Sequence, residues 1–259
     1  MKLEKYALPA FVFSIPILFF LAPLLLVVND SLIIDGSLSM DNYIKFFLSK
    51  TCLTSLRNSM VVATATVILV APLSLLISIF SYKNEKFKQV VRIISSMPLV
   101  FSAYAFCVAL IYIYGTAGFL PFLNLCSFQG ILFANTVFFL PYFLIPLLSY
   151  FEELDPKLDE AAESLGSHGL HKFRKVTFPQ IAHGFLSVAL VTFLLVFNQI
   201  SVFLALGAGN IYNLSLLMWA QYCGFQFRMA TTIASVCILS TLLISIFFQP
   251  ILRRVRYER

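Results

Sequence analysis

The sequence predicts an all-α membrane protein with six transmembrane helices, and two observations carry this prediction. First, 60% of the 259 residues are hydrophobic and only 12% are charged, whereas soluble proteins are about 25% charged. Second, six separate windows of 20 to 23 residues contain no Asp, Glu, Lys or Arg. At about 1.5 Å of rise per residue, each window is long enough as a helix to cross the roughly 30 Å hydrocarbon core of a bilayer.

The six windows are apolar on all sides, which favours helices over a barrel. A chain in lipid must satisfy its own backbone hydrogen bonds, and barrel strands are shorter and alternate apolar with polar residues. We therefore expect one transmembrane domain over residues 1–259, in which the first window is a retained helix and not a cleaved signal. The predicted spans are 7–28, 59–81, 93–114, 131–150, 184–206 and 230–250.

The distribution of basic residues predicts the orientation of these spans. Loops on the cytoplasmic side of a membrane are enriched in Lys and Arg. With six spans, 14 of the 18 Lys and Arg residues fall on one face, together with both termini. We therefore predict that both termini are cytoplasmic. The four basic residues on the opposite face are Lys45, Lys50, Arg57 and Arg228.

Several chemistries have no residues to support them in this sequence. The chain contains no phosphate-binding G-x4-G-K-[ST] loop, so we expect it neither to bind nor to hydrolyse ATP itself. The spans contain no acidic or basic residue, although ion-coupled transporters usually place one within the membrane. The five cysteines have no metal-ligand spacing. We expect no enzyme active site, metal or cofactor. The net charge of +6 is explained by basic residues in the loops at the membrane faces, and we do not expect the chain to bind nucleic acid.

The longest inward segment, 151–183, has the pattern of a structured helix and not of a slack connector. Asp155 followed by Pro156 is typical of a helix start, with Asp as the N-cap and Pro in the first helical position. Asp159 and Glu160 then lie early in that helix, where the helix dipole favours negative charge.

The same segment contains signals for a turn and a second helix. Gly166 is placed to end the first helix, and Ser167 is placed to cap the next one. We expect a second, basic helix over His168–Val176 that ends at Pro179. The alternative is a solvated helical loop that lies on the membrane surface, with its basic side chains near anionic lipid.

The residues of this segment resemble the EAA signature of bacterial ABC importer permeases, E-A-A-x3-G-x9-I-x-L-P. Val176 and Phe178 replace the Ile and Leu of the signature and keep its apolar character. The residues that match at the spacing of the signature are Glu160, Ala161, Ala162, Gly166 and Pro179.

Two shorter motifs, Leu154-Asp155-Pro156 and Leu140-Pro141-Tyr142, also resemble this family. Two others resemble its branch that transports sulfate, molybdate, polyamines, thiamine or iron: Tyr114-Gly115-x2-Gly118, and Gly207-x-Gly209 followed by Leu214 and Leu217. Ser102 departs from that branch, which often has a proline there.

The resemblance implies a type I importer fold and a cytoplasmic coupling loop over 151–183, which docks into a separate ATPase subunit. Glu160 would make the ionic contact with the ATPase, Ala161 and Ala162 would form the packed face, and Gly166 would supply the turn. ATP would be used by that partner. The other implied partners are a second permease subunit, an extracytoplasmic solute-binding protein and the lipid of the bacterial inner membrane.

A translocation path would have to be lined by neutral polar groups, since the spans contain no charge. The candidates are Asn135, Asn198, Gln199 and Ser201, because amides are costly in hydrocarbon unless they face protein or water. A hydrogen bond between helices explains the same residues equally well. An ion-coupled secondary transporter and a membrane anchor that recruits an ATPase without transport are the alternative functions. The identity of the solute stays open.

Overall fold

The computed structural model describes residues 17–34, 37–82, 84–115, 118–119, 124–207 and 211–257, and residues 7–16 of the first predicted span lie outside this set. The described chain is helical except for short connections and one hairpin, whose two strands have two residues each. Two π-helical turns lie at Ile17–Leu21 and at Phe173–Thr177. The helices and strands are α1 (Ala22–Leu32), β1 (Ile33–Ile34), β2 (Ser37–Leu38), α2 (Asp41–Leu48), α3 (Lys50–Tyr82), α4 (Glu85–Val100), α5 (Ala103–Tyr114), α6 (Phe128–Glu152), α7 (Pro156–Ser164), α8 (Gly169–Lys172), α9 (Phe178–Phe197), α10 (Ser201–Leu206), α11 (Leu214–Cys223) and α12 (Phe227–Tyr257).

Among the described residues, four helices are long and apolar enough to cross a membrane, and a bent pair of helices raises the number to five. The all-α membrane class is therefore confirmed, whereas the number of six spans stays a prediction. The four long helices are Lys50–Tyr82, Phe128–Glu152, Gly169–Phe197 and Phe227–Arg254.

The third predicted span, 93–114, is not one continuous helix. It is divided between α4 and α5, which are bent by 103° relative to each other. The break falls at Ser102, whose hydroxyl oxygen accepts a hydrogen bond of 3.2 Å from the backbone N–H of Ala105 and so caps α5. A serine in this position favours the start of a new helix over continuation of the old one. The window has no charged residue on either side of the break, so the charge pattern that predicts the span does not reveal it.

The fifth predicted span, 184–206, does not coincide with one continuous helix either. The long helix begins at Gly169 and ends at Phe197, and the residues after Ile200 form the separate helix α10. The Asn198 side chain donates a 3.0 Å hydrogen bond to the carbonyl of Leu194. Asparagine competes in this way for backbone groups and often ends a helix.

Two compact units make up the chain. The first comprises Met1–Arg57 with Tyr212–Leu242. In it, the strands of the hairpin pair antiparallel, with Ile33 opposite Leu38. The hydroxyl of Tyr43 lies 2.6 Å from that of Ser31 and 2.7 Å from that of Ser235, so one chain of hydroxyl groups joins α1, α2 and α12.

The second unit comprises Asn58–Ile211 with Leu243–Arg259 and contains the segment of functional interest. Its apolar core is formed by α3, α6 and α9, and α6 supplies the largest buried side chains. A methyl group at Gly184 of α9 would lie about 2.5 Å from the ring of Tyr150 in α6, so glycine lets these two helices approach closely. The buried members of the core are Val70, Ala71, Phe143, Leu147, Phe151, Ile181 and Val188.

Candidate coupling site

The predicted coupling loop (151–183) follows directly from the end of α6, which is held by ionic contacts. The Glu152 carboxylate lies 3.2 Å from the Arg92 guanidinium and 3.2 Å from the Lys88 ammonium, both of which belong to α4. Lys88 also pairs with Glu85 at 2.6 Å. Arg92 and Glu152 are partly exposed, so we expect their ion pair to contribute little to stability.

The start of α7 agrees with the prediction from the sequence. Asp155 is the N-cap, and its carboxylate accepts a 3.0 Å hydrogen bond from the backbone N–H of Lys157. Pro156 occupies the first helical position, where a missing N–H costs nothing. The helix therefore has a defined first residue, although it is only nine residues long.

The end of α7 is a Schellman turn at Gly166. The backbone N–H of Ser167 donates to the carbonyl of Ala162 at 2.9 Å, and that of Gly166 donates to the carbonyl of Glu163 at 3.0 Å. Gly166 has a φ of +79°, which a residue with a side chain rarely adopts. The prediction that Gly166 ends this helix is confirmed in the structure.

The residues of the EAA signature take up different environments on α7. Glu160 and Ala161 are exposed, whereas Ala162 is buried against the rest of the chain. Asp159 lies on the same helix, but its side chain is outside the part that the structure describes. The two alanines thus face in different directions, and only Ala161 is available on the surface.

Large apolar side chains are exposed beside these residues. Leu165 is 87% exposed and Leu170 is 80% exposed, and they flank the Gly166 turn. Leu158 is 49% exposed. Exposed leucines grouped around a capped, acidic helix form a surface that can bind another protein.

The prediction that Pro179 ends the second helix is wrong. The helical path continues from Gly169 through one π-helical turn to Phe197. Pro179 lies in the first turn of α9, directly after that π turn. A proline inside a helical path has no N–H to donate, and a local π-helical turn is one of the adjustments that accommodate it. His168, and not Ser167, is the N-cap residue of α8.

An ion pair across the turn was not predicted. The Lys172 ammonium donates a 2.8 Å hydrogen bond to the Glu163 carboxylate, and only 9% of the Lys172 side chain is exposed. The two residues are nine positions apart, so neither helical spacing nor a sequence motif indicates their contact. Only the fold of the turn brings them together.

The candidates for a translocation path lie in two places along the chain. Asn135 is fully buried in α6; its amide nitrogen donates to the carbonyl of Ile131 at 2.9 Å, and its amide oxygen has no hydrogen-bond partner. Asn198 is exposed and Gln199 is half-buried in the break between α9 and α10. Ser201 is half-buried and is the first residue of α10. Their assignment to a path stays a prediction.

The described chain thus combines several apolar helices long enough to cross a membrane with an exposed, capped helix between two of them. The sequence model of the family described as binding-protein-dependent transport system inner membrane component matches residues 70–256. The chain belongs to this family of multi-pass inner membrane proteins.

Individual relatives support the same assignment. The chain is 31% identical over 200 residues to the maltose/maltodextrin transport system permease protein MalG of Vibrio vulnificus, a match that covers 76% of this chain and 67% of the relative. It is 28% identical over 122 residues, or 46% of its length, to the sulfate transport system permease protein CysT of Salmonella typhimurium. The matches span only 44% of that sulfate permease and 22% of the Fe(3+)-transport system permease protein FbpB 2 of Haemophilus influenzae.

Solved structures share the fold of the chain. A chain of the crystal structure of a bacterial alginate ABC transporter, in complex with an alginate pentasaccharide-bound periplasmic protein, superposes with a TM-score of 0.76. The superposition covers 98% of this chain and 94% of that one at 13% sequence identity. At this identity the similarity concerns the fold alone.

Proposed function

We propose that the chain is the transmembrane subunit of an ABC importer and forms half of the path for a small solute. The observation that carries this proposal is the surface of α7, where exposed Glu160 and Ala161 lie between a capped start at Asp155 and the Gly166 turn. Membership of the family supports the same function. ATP hydrolysis takes place in a separate ATPase subunit, and this chain contributes no catalytic residue.

In this proposal, α7 docks into the ATPase on the cytoplasmic side. Glu160 pairs with a basic residue of the partner, and the exposed side chains of Leu158, Leu165 and Leu170 are covered in the contact. Burial of exposed apolar area stabilises such a contact, and a charge pair at its edge sets its register. Both termini share this cytoplasmic side.

Movement of the coupling loop reaches the membrane helices through aromatic contacts. The ring centroids of Phe173 and Phe178 lie 5.8 Å apart, and those of Phe178 and Phe185 also lie 5.8 Å apart. Phe185 in turn contacts the buried ring of Phe143 in α6 at 5.4 Å. Closure of the ATPase dimer would therefore shift α6 and α9 together with the loop, and the importer would alternate between inward-open and outward-open states.

A complete transporter needs further subunits. A second permease, identical or related, supplies the other half of the path, because a two-fold ATPase dimer has two docking sites. An extracytoplasmic binding protein delivers the solute to the outer loops. Relatives named for maltose, sulfate and iron transport differ widely in the charge and size of their solutes, so the proposal is confined to a small solute.

Charge reversal of Glu160 tests the docking of α7. We expect Glu160→Arg to abolish co-purification with the ATPase and ATP-driven uptake in proteoliposomes. Asp41→Arg is the matched control, because Asp41 is an exposed acidic residue at the start of α2 on the predicted outer face. If Glu160→Arg keeps both the complex and uptake, the docking role is wrong. Uptake driven by an ion gradient without ATP would support a secondary transporter instead.

A further inference from the structure

Two glycines in open surroundings join α7 to α8, one in the turn and one at the first residue of α8. Gly166 and Gly169 have φ values of +79° and +57°. No atom lies within 4 Å of the position that a Cβ would take at either residue. Because glycine also has the largest backbone freedom, this turn has little intrinsic resistance to bending.

Space beside the turn would allow such bending. A cavity of about 530 Å³ lies between the cytoplasmic end of α3, including Leu75 and Ile79, and the start of α8, including Leu170 and Lys172. Since no described side chain fills this volume, α7 could swing relative to α8 if the glycines alone joined them.

An ion pair opposes that movement, in addition to the backbone hydrogen bonds of the Schellman turn and the burial of Ala162. Lys172 is only 7% exposed, and its ammonium donates a 2.8 Å hydrogen bond to the carboxylate of Glu163 in the last turn of α7. A buried ammonium loses its hydration and is costly unless a carboxylate compensates for the loss. Any swing of α7 that separates the two groups would leave the Lys172 charge buried and less well paired.

We infer that Lys172 is a positioning residue. By binding Glu163 across the Gly166–Gly169 turn, it fixes the orientation of α7 relative to α8. This role rests on the proposed function, because the direction of α7 matters for transport only if α7 is pushed by an ATPase. Lys172 contacts neither the solute nor ATP. It lets a push on the exposed face of α7 move the long helix that begins at Gly169, and not merely bend the turn.

The direction of α7 can be measured without any partner. Spin labels at Lys157→Cys in α7 and Arg174→Cys in the π-helical turn report the distance across the glycine turn in the full chain in lipid nanodiscs. Cys126→Ser and Cys223→Ser remove the two exposed native thiols among the described residues, whereas Cys52, Cys107 and Cys237 are buried.

We expect Lys172→Met and Glu163→Gln each to broaden the distance distribution between the labels. The exchanged pair Glu163→Lys with Lys172→Glu should narrow it again, because the opposite charges are restored. Lys175→Met, which removes an exposed basic residue of the same loop, should change nothing. An unchanged distribution in Lys172→Met, or no recovery in the exchanged pair, overturns the inference.

The transporter assembled with its ATPase supplies the second measurement. With Lys172→Met we expect the ratio of solute taken up to ATP hydrolysed to fall by about fivefold or more, the range of couplings between linked sites. The ATPase should remain bound, because Glu160 and its exposed neighbours are unaltered. A ratio equal to that of the unmodified transporter overturns the inference. If the proposed function is wrong, the Glu160→Arg experiment will show it. The spin-label distances test the role of Lys172 whatever the result of that experiment.

Discussion

The aromatic rings of Phe178 and Phe185 lie 5.8 Å apart at an angle of 64°, an edge-to-face contact within the first two turns of α9. The contact continues to Phe173 at the coupling loop and to buried Phe143 in the membrane core. A row of packed rings is stiff, since neighbouring side chains leave one another few alternative rotamers. It therefore joins the loop to the helices that line the core.

Replacement of Phe178 by Leu tests this row of rings. The variant keeps an apolar side chain but removes the tilted contact with Phe173 and the edge-to-face contact with Phe185. Such aromatic pairs contribute about 0.5–1.5 kcal/mol each. We expect ATP-driven uptake in proteoliposomes to fall, while co-purification with the ATPase is retained. Phe119→Leu, which alters a fully surface-exposed ring elsewhere in the chain, is the control. Equal uptake by the two variants would show that the ring contacts do not transmit movement.

Loss of the helix cap at Asp155 should loosen the start of α7. Asp155→Ala removes the oxygen that accepts from the N–H of Lys157, which costs about 1 kcal/mol in typical helices. We expect faster hydrogen exchange at the amides of α7 in this variant. Asp155→Ser, which keeps an N-cap oxygen, should exchange nearly as slowly as the unmodified chain. Equal exchange in Asp155→Ala would mean that tertiary contacts alone hold this helix.

Gly166→Ala should strain the turn that ends α7. A residue with a Cβ at a φ of +79° costs about 1–2 kcal/mol, although the space around the residue is open. We expect weaker binding of the ATPase, measured by titration of the purified permease complex. Gly224→Ala is the matched control, because Gly224 ends α11 with a φ of −81°. Comparable binding by both variants would remove the turn from the docking surface.

The ion pair between Arg92 and Glu152 should contribute little to stability. The two side chains are 45% and 33% exposed, and exposed pairs contribute about 0–1 kcal/mol. We expect Arg92→Gln to leave the thermal unfolding temperature of the detergent-solubilised chain nearly unchanged. A large decrease would show that this contact holds α4 against α6 and does not merely lie on the surface.

Local signals in the sequence predicted α7 well, because each one acts within a few residues. Asp155 caps the helix through the N–H of Lys157, and Gly166 ends it through its own backbone conformation. Ser102 and Asn198 show the limit of the hydropathy argument. Both residues interrupt predicted spans by bonding nearby backbone groups, and neither interruption changes the apolar composition of the window.

Contacts between residues far apart in the chain could not be predicted from the sequence. Glu163 and Lys172 meet because two glycines reverse the chain between them, and nothing in the spacing of a single sequence indicates such a pair. The helix also continues past Pro179, directly after a π-helical turn that the sequence does not indicate. The EAA pattern therefore indicates where the predicted coupling loop lies but does not reveal how α7 is held within it.

Site-directed cross-linking in intact cells tests the central claim most directly. A cysteine at Ala161, on the exposed face of α7, should form a cross-link to the ATPase subunit with a short bifunctional thiol reagent. Leu38→Cys, at an exposed position of the hairpin on the predicted outer face, should form none. A cross-link from Ala161→Cys alone is the result that we predict. Its absence, or labelling of Ala161→Cys by an impermeant reagent added outside the cell, would contradict a cytoplasmic coupling loop that contacts an ATPase.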